Sequence, residues 1–505
     1  MLANYQHILR TDLTSVTEAF RRAGYDEAAR AKLEKVLEPG GTGSAANISA
    51  ALDSTSGDVP VHVLLRTFAM AMAVPPEQIE AAIGKESVRA LRELGVLTDR
   101  DGGVGSQVSI LPVSEFFTTR DFAASFTNQA LTGDHVLGIS PTTMALARLT
   151  VRREVGLAVD IGVGQGYQSL LAAGHAKRVV GTDINARALA MAALSAQLSG
   201  REIELRQGTF FEPLEDLKGK IDLLVSNPPF MIAPPMGVVG VAGSADGDSC
   251  VQLIAEQGPA YLAPGGFLCM FCNWHHPDAE NWASRPAGWI RDRGVDAWIM
   301  RFETSTPRVY AMRWTRELKS AGYAGHLTSS SPALETWVEY LQERNIGGVT
   351  LGAIVLRRRE GANWARGDAL EFAALAGEAG VQIERVFANE TAMRNVSDED
   401  LSQMRVRIAP TSVVEQRLRP LPGRGFVPER ATLKQSVGFP MPLGVDVGVI
   451  DMLGVFDGTR TVRQAAVEAA QAKGGNADAA LAHLAPMVRR LLETTHLEVV
   501  SAGAA

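Results

Sequence analysis

Between residues 134 and 360 the chain alternates short, unbroken apolar runs with amphipathic helical stretches, and no other feature restricts the fold as much. The runs are "GLAVDIG", "RVVGTDI", "IELRQG", "IDLLVSN", "GGFLCMFCNW", "VDAWIMRFE" and "GVTLGAIVLRR"; stretches such as "ARALAMAALSAQLSG" and "PALETWVEYLQERN" lie between them. A strand that is apolar on both sides has no face to offer water, and a helix between consecutive strands supplies a crossover. Together they predict an α/β domain built on a largely parallel sheet covered on both faces. Seven strands are expected, the last two joined by a long helical insert, with one antiparallel member at the sheet edge.

The flanks have a different texture. Residues 1–133 are expected to form a helical domain in which "VPVHVLLRTFAMAMAVPPEQIEAAIGKESVRALRELGVLTDRDGGVGSQVSIL" supplies three short helices and a glycine-turned hairpin, a winged-helix-like shape. Acid accompanies base in its third helix, "KESVRALRELG", which favours a dimerisation or lid role over nucleic-acid binding. Residues 361–505 are expected to be an α+β module, winged-helix-like near its end at "FDGTRTVRQAA". A formal charge of −7 does not favour a large nucleic-acid surface, although a local basic patch can coexist with it. Three cysteines argue for a reducing compartment rather than a disulfide framework. The start, "MLANYQHILRTDLTSVTEAF", has no apolar signal segment, and no apolar run reaches the roughly 18 residues of a membrane span. A cytoplasmic protein is expected.

The first strand of the alternating region runs into "VDIGVGQGYQSLLAAG", which presents Asp160, Gly162, Gly164 and Gly166 ahead of a helix. Glycines permit positive φ and close approach of backbone to a ligand, and the helix start offers free N–H donors. Asp183, with Ile184 after it, ends the second strand seventeen residues beyond Gly166, where an acid is placed to accept hydrogen bonds from ribose hydroxyls. A dinucleotide fingerprint wants its third glycine one position later, where Tyr167 stands. S-adenosylmethionine suits the arrangement better: an acid two residues before a Gly-x-Gly-x-Gly turn, then a ribose acid. At the tip of the third strand, Phe210 or Phe211 is expected to stack on adenine. Thr209 stands where a carboxylate commonly receives the adenine amino group.

The fourth strand ends in "VSNPPF". A planar amide or exocyclic amine is a poor nucleophile, because its lone pair is delocalised. Two acceptors that hold its N–H groups would aim that lone pair at a methyl donor. The side-chain oxygen of Asn227 and the carbonyl of Pro228 are suited to this. Pro228 and Pro229 fix the backbone and donate nothing that competes, and Phe230 offers a flat face. In this order, "VDIGVGQG", "GTDIN" and "VSNPPF" resemble the class I S-adenosylmethionine-dependent methyltransferases of the Asn-Pro-Pro-Phe/Tyr type, over about residues 135–275.

That group includes release-factor glutamine methyltransferases and ribosomal-RNA guanine-N2 and adenine-N6 enzymes. The resemblance implies a Rossmann-like fold, S-adenosylmethionine as cofactor, and methylation of a planar nitrogen in RNA or protein. By it, Asp160 and the three glycines hold the donor, Asp183 its ribose, and Asn227 to Phe230 the acceptor. The lead-in "HVLGISPTTMALARLTVR" is similar to the segment that closes over the cofactor's methionine end. A cofactor sensor without turnover and a small-molecule methyltransferase are the other readings considered, and a dimer is compatible with the sequence.

Four further motifs carry weaker expectations. Cys269 and Cys272 of "CMFC" fall on opposite faces of a strand and are assigned to the core. "NWHH" (Asn273 to His276) is expected to anchor a loop near the pocket rim. "MIAPPMGVVGVAGSADGDSC" suits either a substrate lid or a loose connection, and "LRRRE" a solvated edge.

Overall fold

A computed structural model describes residues 2–37, 45–127, 132–234, 247–320, 331–446, 449–450, 453–473 and 476–500. The chain divides into two compact units, residues 1–147 with 153–367 and residues 148–152 with 368–505. The segments expected as first and second domains therefore fall within one unit.

The first unit is organised by an eight-stranded mixed sheet. Its strands are β1 (Val155–Ile161), β2 (Ala176–Asp183), β3 (Glu204–Gln207), β4 (Ile221–Ser226), β5 (Leu262–His276), β6 (Val295–Ser305), β7 (Gly348–Arg358) and β8 (Ala365–Ala369), in the spatial order 8-6-7-5-4-1-2-3. β3, β2, β1, β4 and β5 run parallel to one another, as the unbroken apolar runs require. Two expectations need correcting. The antiparallel strand, β7, lies inside the sheet between β5 and β6, and eight of its eleven residues are buried, so it needs neighbours on both sides. An eighth strand, β8, extends the edge beyond β6; its residues are polar or small and mostly exposed, so no apolar run announces it.

The helix Ala186–Ser199 shows why the N-terminal segment belongs to this unit. Ten of its fourteen residues are buried, including both sides of its alanine-rich middle. A helix apolar all round needs cover on all sides. The sheet covers one side, and the strand Phe116–Arg120 and the helix Tyr5–Ile8 help to cover the other. Across that contact the Thr119 N–H donates to Ser195 Oγ at 3.0 Å, and Thr119 Oγ1 donates to the Met191 carbonyl at 2.7 Å. Thr17 Oγ1 donates to the Leu198 carbonyl at 2.8 Å. Asn185 caps the helix start through the Arg187 N–H, and Gly200 ends it at φ +62°. The expected helices and hairpin of the N-terminal segment are present as Pro60–Leu64, Pro76–Ile83, Lys85–Glu93 and the strands Leu97–Arg100 and Gly103–Ser106.

The "LRRRE" segment is no solvated edge: Arg357 and Arg359 both pair with the buried carboxylate of Asp296 at 2.7 Å. The second unit holds two three-stranded sheets. Arg405–Ile408 lies between Asp457–Thr461 and Leu497–Val499, against the helices Val462–Lys473 and Ala477–Glu493. The long strands Ser412–Leu421 and Gly425–Gln435 pair as a hairpin, with Leu443–Val445 beside the second of them. Among the described residues no helix is long and apolar enough to cross a membrane.

Ser195 is fully buried, and its removal would leave the Thr119 N–H without its acceptor. Ser195→Ala is expected to destabilise the unit by about 1–3 kcal/mol, the cost of a buried unsatisfied donor. The urea midpoints of wild type and variant, followed by circular dichroism, measure this; an unchanged midpoint would show that the contact does not join the two segments.

Candidate active site

The site is built at the C-terminal ends of β1, β2 and β4. β1 and β4 run in parallel register with Asp160 beside Val225 and Ile161 beside Ser226. Ser226 Oγ donates to the Ile161 carbonyl at 2.8 Å and locks that register. The glycine turn, starting at Gly162, and the Asn-Pro-Pro-Phe corner, starting at Asn227, thus leave the sheet from adjacent strands at the same level.

The turn is held against β2. The N–H groups of Gly162 and Val163 both donate to the Thr182 carbonyl at 2.9 Å, and the Gly164 N–H donates to Asp183 Oδ2 at 3.0 Å. Gly162, Gly164 and Gly166 have φ of +77°, +54° and +93°, a region that disfavours side chains. A Cβ on Gly162 would project into open space, whereas one on Gly166 would come within 3.3 Å of Ala192. The first glycine leaves room for a ligand, and the third lets the helix after the turn pack on Ala186–Ser199.

Both carboxylates are present at the turn, in different surroundings. Asp183 also accepts the Asn185 N–H through Oδ1 at 2.9 Å, so each oxygen holds one backbone donor and keeps a lone pair for a hydroxyl. Burial raises its carboxyl above the usual range, against the pull of these N–H donors. Asp160 is 2% exposed and accepts Ser169 Oγ–H at 2.9 Å. Burial pushes its carboxyl up to about 7, with the charge of Asp183 adding to the shift and the Ser169 bond opposing it. That bond ties the end of β1 to the first turn of the helix Tyr167–Ala172. Beside Asp183, the apolar side chain of Ile184 is 58% exposed.

At the tip of β3 the two phenylalanines separate. Phe211 is buried and stacks on Tyr261 with ring centroids 4.5 Å apart, so it belongs to the core. Phe210 is half-buried at φ +47°, a conformation a bulky residue adopts only when its surroundings impose it. Thr209 is exposed, and its N–H donates to Glu212 Oε2 at 3.2 Å. Of this group, Phe210 and Thr209 remain open to a ligand, on the side of Ile184.

Asn227 Nδ2 donates to Thr142 Oγ1 at 3.3 Å, while Asn227 Oδ1 is buried with no hydrogen-bond partner among the described residues. A buried acceptor without a donor costs about 1–3 kcal/mol, which marks the position as one shaped for something other than stability. Pro228 is buried, and Phe230, 8% exposed, packs on Phe271 with centroids 6.3 Å apart. Phe230 is therefore a wall of the corner more than an open platform. The backbone just beyond is fixed at both polar groups. The Ile232 N–H donates to Tyr310 Oη at 2.9 Å, and its carbonyl accepts Trp337 Nε1–H at 3.0 Å. Met231, Ile232 and Ala233 are core residues. They are not part of a lid, and residues 235–246 of that predicted loop lie outside the described residues.

Several residues that shape the site were not singled out from the sequence. The lead-in crosses the strand ends: Asn185 Nδ2 donates to the Asp134 carbonyl at 2.9 Å, Gln168 Nε2 to the Thr143 carbonyl at 2.7 Å, and Asn227 to Thr142. Its hydroxyl triplet Ser140, Thr142 and Thr143, at a helix start, was the available signal. Tyr310 and Trp337 come from the helical insert between β6 and β7, and only folding brings them to the corner. The "NWHH" motif divides. His276 is buried between the Asp278 carbonyl and Thr350 Oγ1, an anchoring role, while Asn273 Nδ2 donates to Tyr310 Oη at 3.1 Å. His275 lines a separate cleft of about 590 Å³ with Arg285, Trp289 and Arg344, which includes no residue of the glycine turn or the corner. Cys269 and Cys272 are buried in β5.

The raised Asp160 carboxyl gives a signed expectation. The folded acid holds its proton more tightly than the unfolded one, so the native state loses stability as pH rises from about 4 towards about 7 and changes little beyond. Asp160→Asn removes that ionisation. Between pH 5 and pH 8 the stability of the variant relative to wild type is expected to rise by about 2–3 kcal/mol. Urea unfolding at the two pH values measures the difference; a constant gap would place the wild-type acid in its ordinary range.

The chain is similar to known proteins over part of its length. Residues 139–282 match the family model "Methyltransferase small domain". The release factor glutamine methyltransferase of Synechocystis sp. is 36% identical over 124 residues, which are 22% of this chain and 42% of that one. The ribosomal RNA small subunit methyltransferase C of Alcanivorax borkumensis is 32% identical over 155 residues, 31% of this chain and 41% of that one. An rRNA methylase of known structure from Streptococcus thermophilus is matched over 44% of this chain and 99% of that one, at 16% identity and a TM-score of 0.25. The chain spans about half the length of the relatives it matches. The stretch that matches the methyltransferase small domain model, residues 139–282, contains the glycine turn, Asp183 and the Asn-Pro-Pro-Phe corner.

Proposed function

We propose that this protein is an S-adenosylmethionine-dependent N-methyltransferase whose acceptor is a planar nitrogen, a carboxamide or a nucleobase amine. The observation that carries the reading is the unpartnered Asn227 Oδ1, buried one residue beyond the β1–β4 register lock. The residues at the strand ends fit the cofactor. The space over Gly162 admits a ligand, the two Asp183 oxygens have lone pairs left for ribose hydroxyls, and Ile184 and Phe210 offer apolar surface for a base. When bound, S-adenosylmethionine supplies a sulfonium methyl, which is already electrophilic.

The protein's own task is then to orient the acceptor. Asn227 Oδ1 accepts one N–H of the target, and the Pro228 carbonyl is the second acceptor in reach of the same corner. Holding both hydrogens in one plane turns the nitrogen lone pair out of it. Methyl transfer forms an N–C bond, breaks an S–C bond and releases one N–H proton. Thr142 fixes the orientation of the Asn227 amide by taking its Nδ2–H, which leaves Oδ1 for the substrate. Tyr310 and Trp337 hold the backbone beyond the corner, so the clamp does not collapse when empty. The names of the relatives, which specify a release-factor glutamine and small-subunit ribosomal RNA, support an acceptor of this type in a macromolecule.

The test uses tritiated S-adenosylmethionine and a lysate from a strain that lacks the protein. Asn227→Ala is expected to lower transfer by about 2–4 kcal/mol, roughly 30- to 1,000-fold, and to leave cofactor affinity within about twofold. Asp183→Ala should weaken cofactor binding roughly 10- to 100-fold, the worth of hydrogen bonds to a charged group. Tight cofactor binding by wild type with no labelled product in any fraction would instead indicate a sensor.

A further inference from the structure

The hairpin Ser412–Leu421/Gly425–Gln435 of the second unit departs from the charge balance of the chain. Residues 412–435 hold five basic and two acidic residues in a protein of net charge −7. Both acids are already engaged, Glu415 with Lys434 at 2.5 Å and Glu429 with Arg417 at 3.5 Å. The side chains of Arg419, Arg424 and Arg430 are exposed and have no hydrogen bond or ion pair among the described residues.

The register gathers these charges. Arg417 lies directly opposite Arg430, and a bulge between Arg417 and Leu418 takes up Glu429. Alternation then sets Arg417, Arg419 and Arg430 on one face, with Arg424 in the turn. The other face is buried at Ala431, Leu433 and Gln435, near the base of the hairpin. Towards the tip that face becomes solvent-exposed, and its side chains there are Leu418, 47% exposed, and Phe426, 71% exposed. Two like charges directly opposite each other destabilise a hairpin, and an aromatic ring in water at a hairpin tip contributes nothing to its fold. Both features are accounted for by a polyanion with flat, unpaired rings.

We propose that this hairpin is an RNA-binding β-ribbon, with Arg419, Arg424 and Arg430 contacting phosphates and Phe426 stacking on an unpaired base. Guanidinium forks match phosphate oxygens bidentately, and an exposed aromatic favours single-stranded loops over duplex, whose bases are already stacked. A purely acidic peptide would satisfy the arginines and leave Phe426 without a role. The inference rests on the second unit alone and stands whether or not the first unit transfers methyl groups.

The test is fluorescence anisotropy with the full-length protein and a fluorescein-labelled stem–loop RNA carrying an unpaired loop, over a series of salt concentrations. The wild-type affinity is expected to fall as salt rises. The triple variant Arg419→Glu, Arg424→Glu, Arg430→Glu should bind at least tenfold more weakly and lower the log–log salt slope by about 2, near 0.7–0.9 per lost contact. Phe426→Ala should weaken binding roughly 5- to 100-fold with the slope unchanged. All four side chains are exposed, so melting by circular dichroism should match wild type. Equal RNA affinity in wild type and both variants overturns the proposal, as does equal binding of a blunt duplex DNA. So does a dimer in light scattering that Phe426→Ala converts to monomer without effect on RNA, which would make the hairpin a contact between copies.

Discussion

Everything at the site depends on the parallel pairing of β1 with β4. Their register, held by the Ser226 hydroxyl on the Ile161 carbonyl, sets the glycine turn and the Asn-Pro-Pro-Phe corner side by side. A shift of one residue would turn every side chain of β4 to the opposite face and carry Asn227 away from the turn. β2 completes the arrangement, because its last residue, Asp183, accepts the Gly164 N–H and ties the turn to the expected ribose acid. Three strand ends thus define one concave region, where open α/β sheets bind ligands.

The corner is stiffened from outside the sheet. Tyr310 and Trp337 occupy the two polar groups of the Ile232 peptide, and Thr142 occupies the amide nitrogen of Asn227. What remains is one buried oxygen, Asn227 Oδ1, without a donor among the described residues. A protein that keeps such an atom accepts a stability penalty, and preorganised acceptors that await a substrate are one physical reason to keep it. The second unit carries a similar penalty, where an arginine directly opposite another arginine, and an exposed Phe426, oppose the stability of the hairpin that carries them.

Local features were legible in the sequence. Unbroken apolar runs identify the parallel strands, because burial on both faces leaves a one-dimensional signature. The glycine turn, Asp183 and "VSNPPF" could be read because each is a contiguous segment whose conformation its own residues dictate. Features that arise by pairing at a distance could not. β7 reads as an edge strand because nothing local shows that the chain returns to insert it between β5 and β6. β8 has no apolar pattern at all. Phe210 and Phe211 are neighbours with the same chemistry, and only the stacking of Phe211 on Tyr261 separates core from site. Tyr310 and Trp337 look like ordinary helix aromatics until the insert folds back onto Ile232. The arginines of the hairpin are visible as residues, but their common face needs the register and its bulge.

The central claim is that the corner presents hydrogen-bond acceptors to a planar nitrogen, and the identity of the methylated atom tests it most directly. Labelled product from a lysate that lacks the protein can be digested with nuclease or protease and its methylated residue identified by mass spectrometry. The predicted product is an N-methyl group on a carboxamide or a nucleobase amine. A base-labile carboxyl ester, an O-methyl group or a new carbon–carbon bond would contradict that claim, because in none of them does the methylated atom carry the N–H groups that Asn227 and Pro228 would hold.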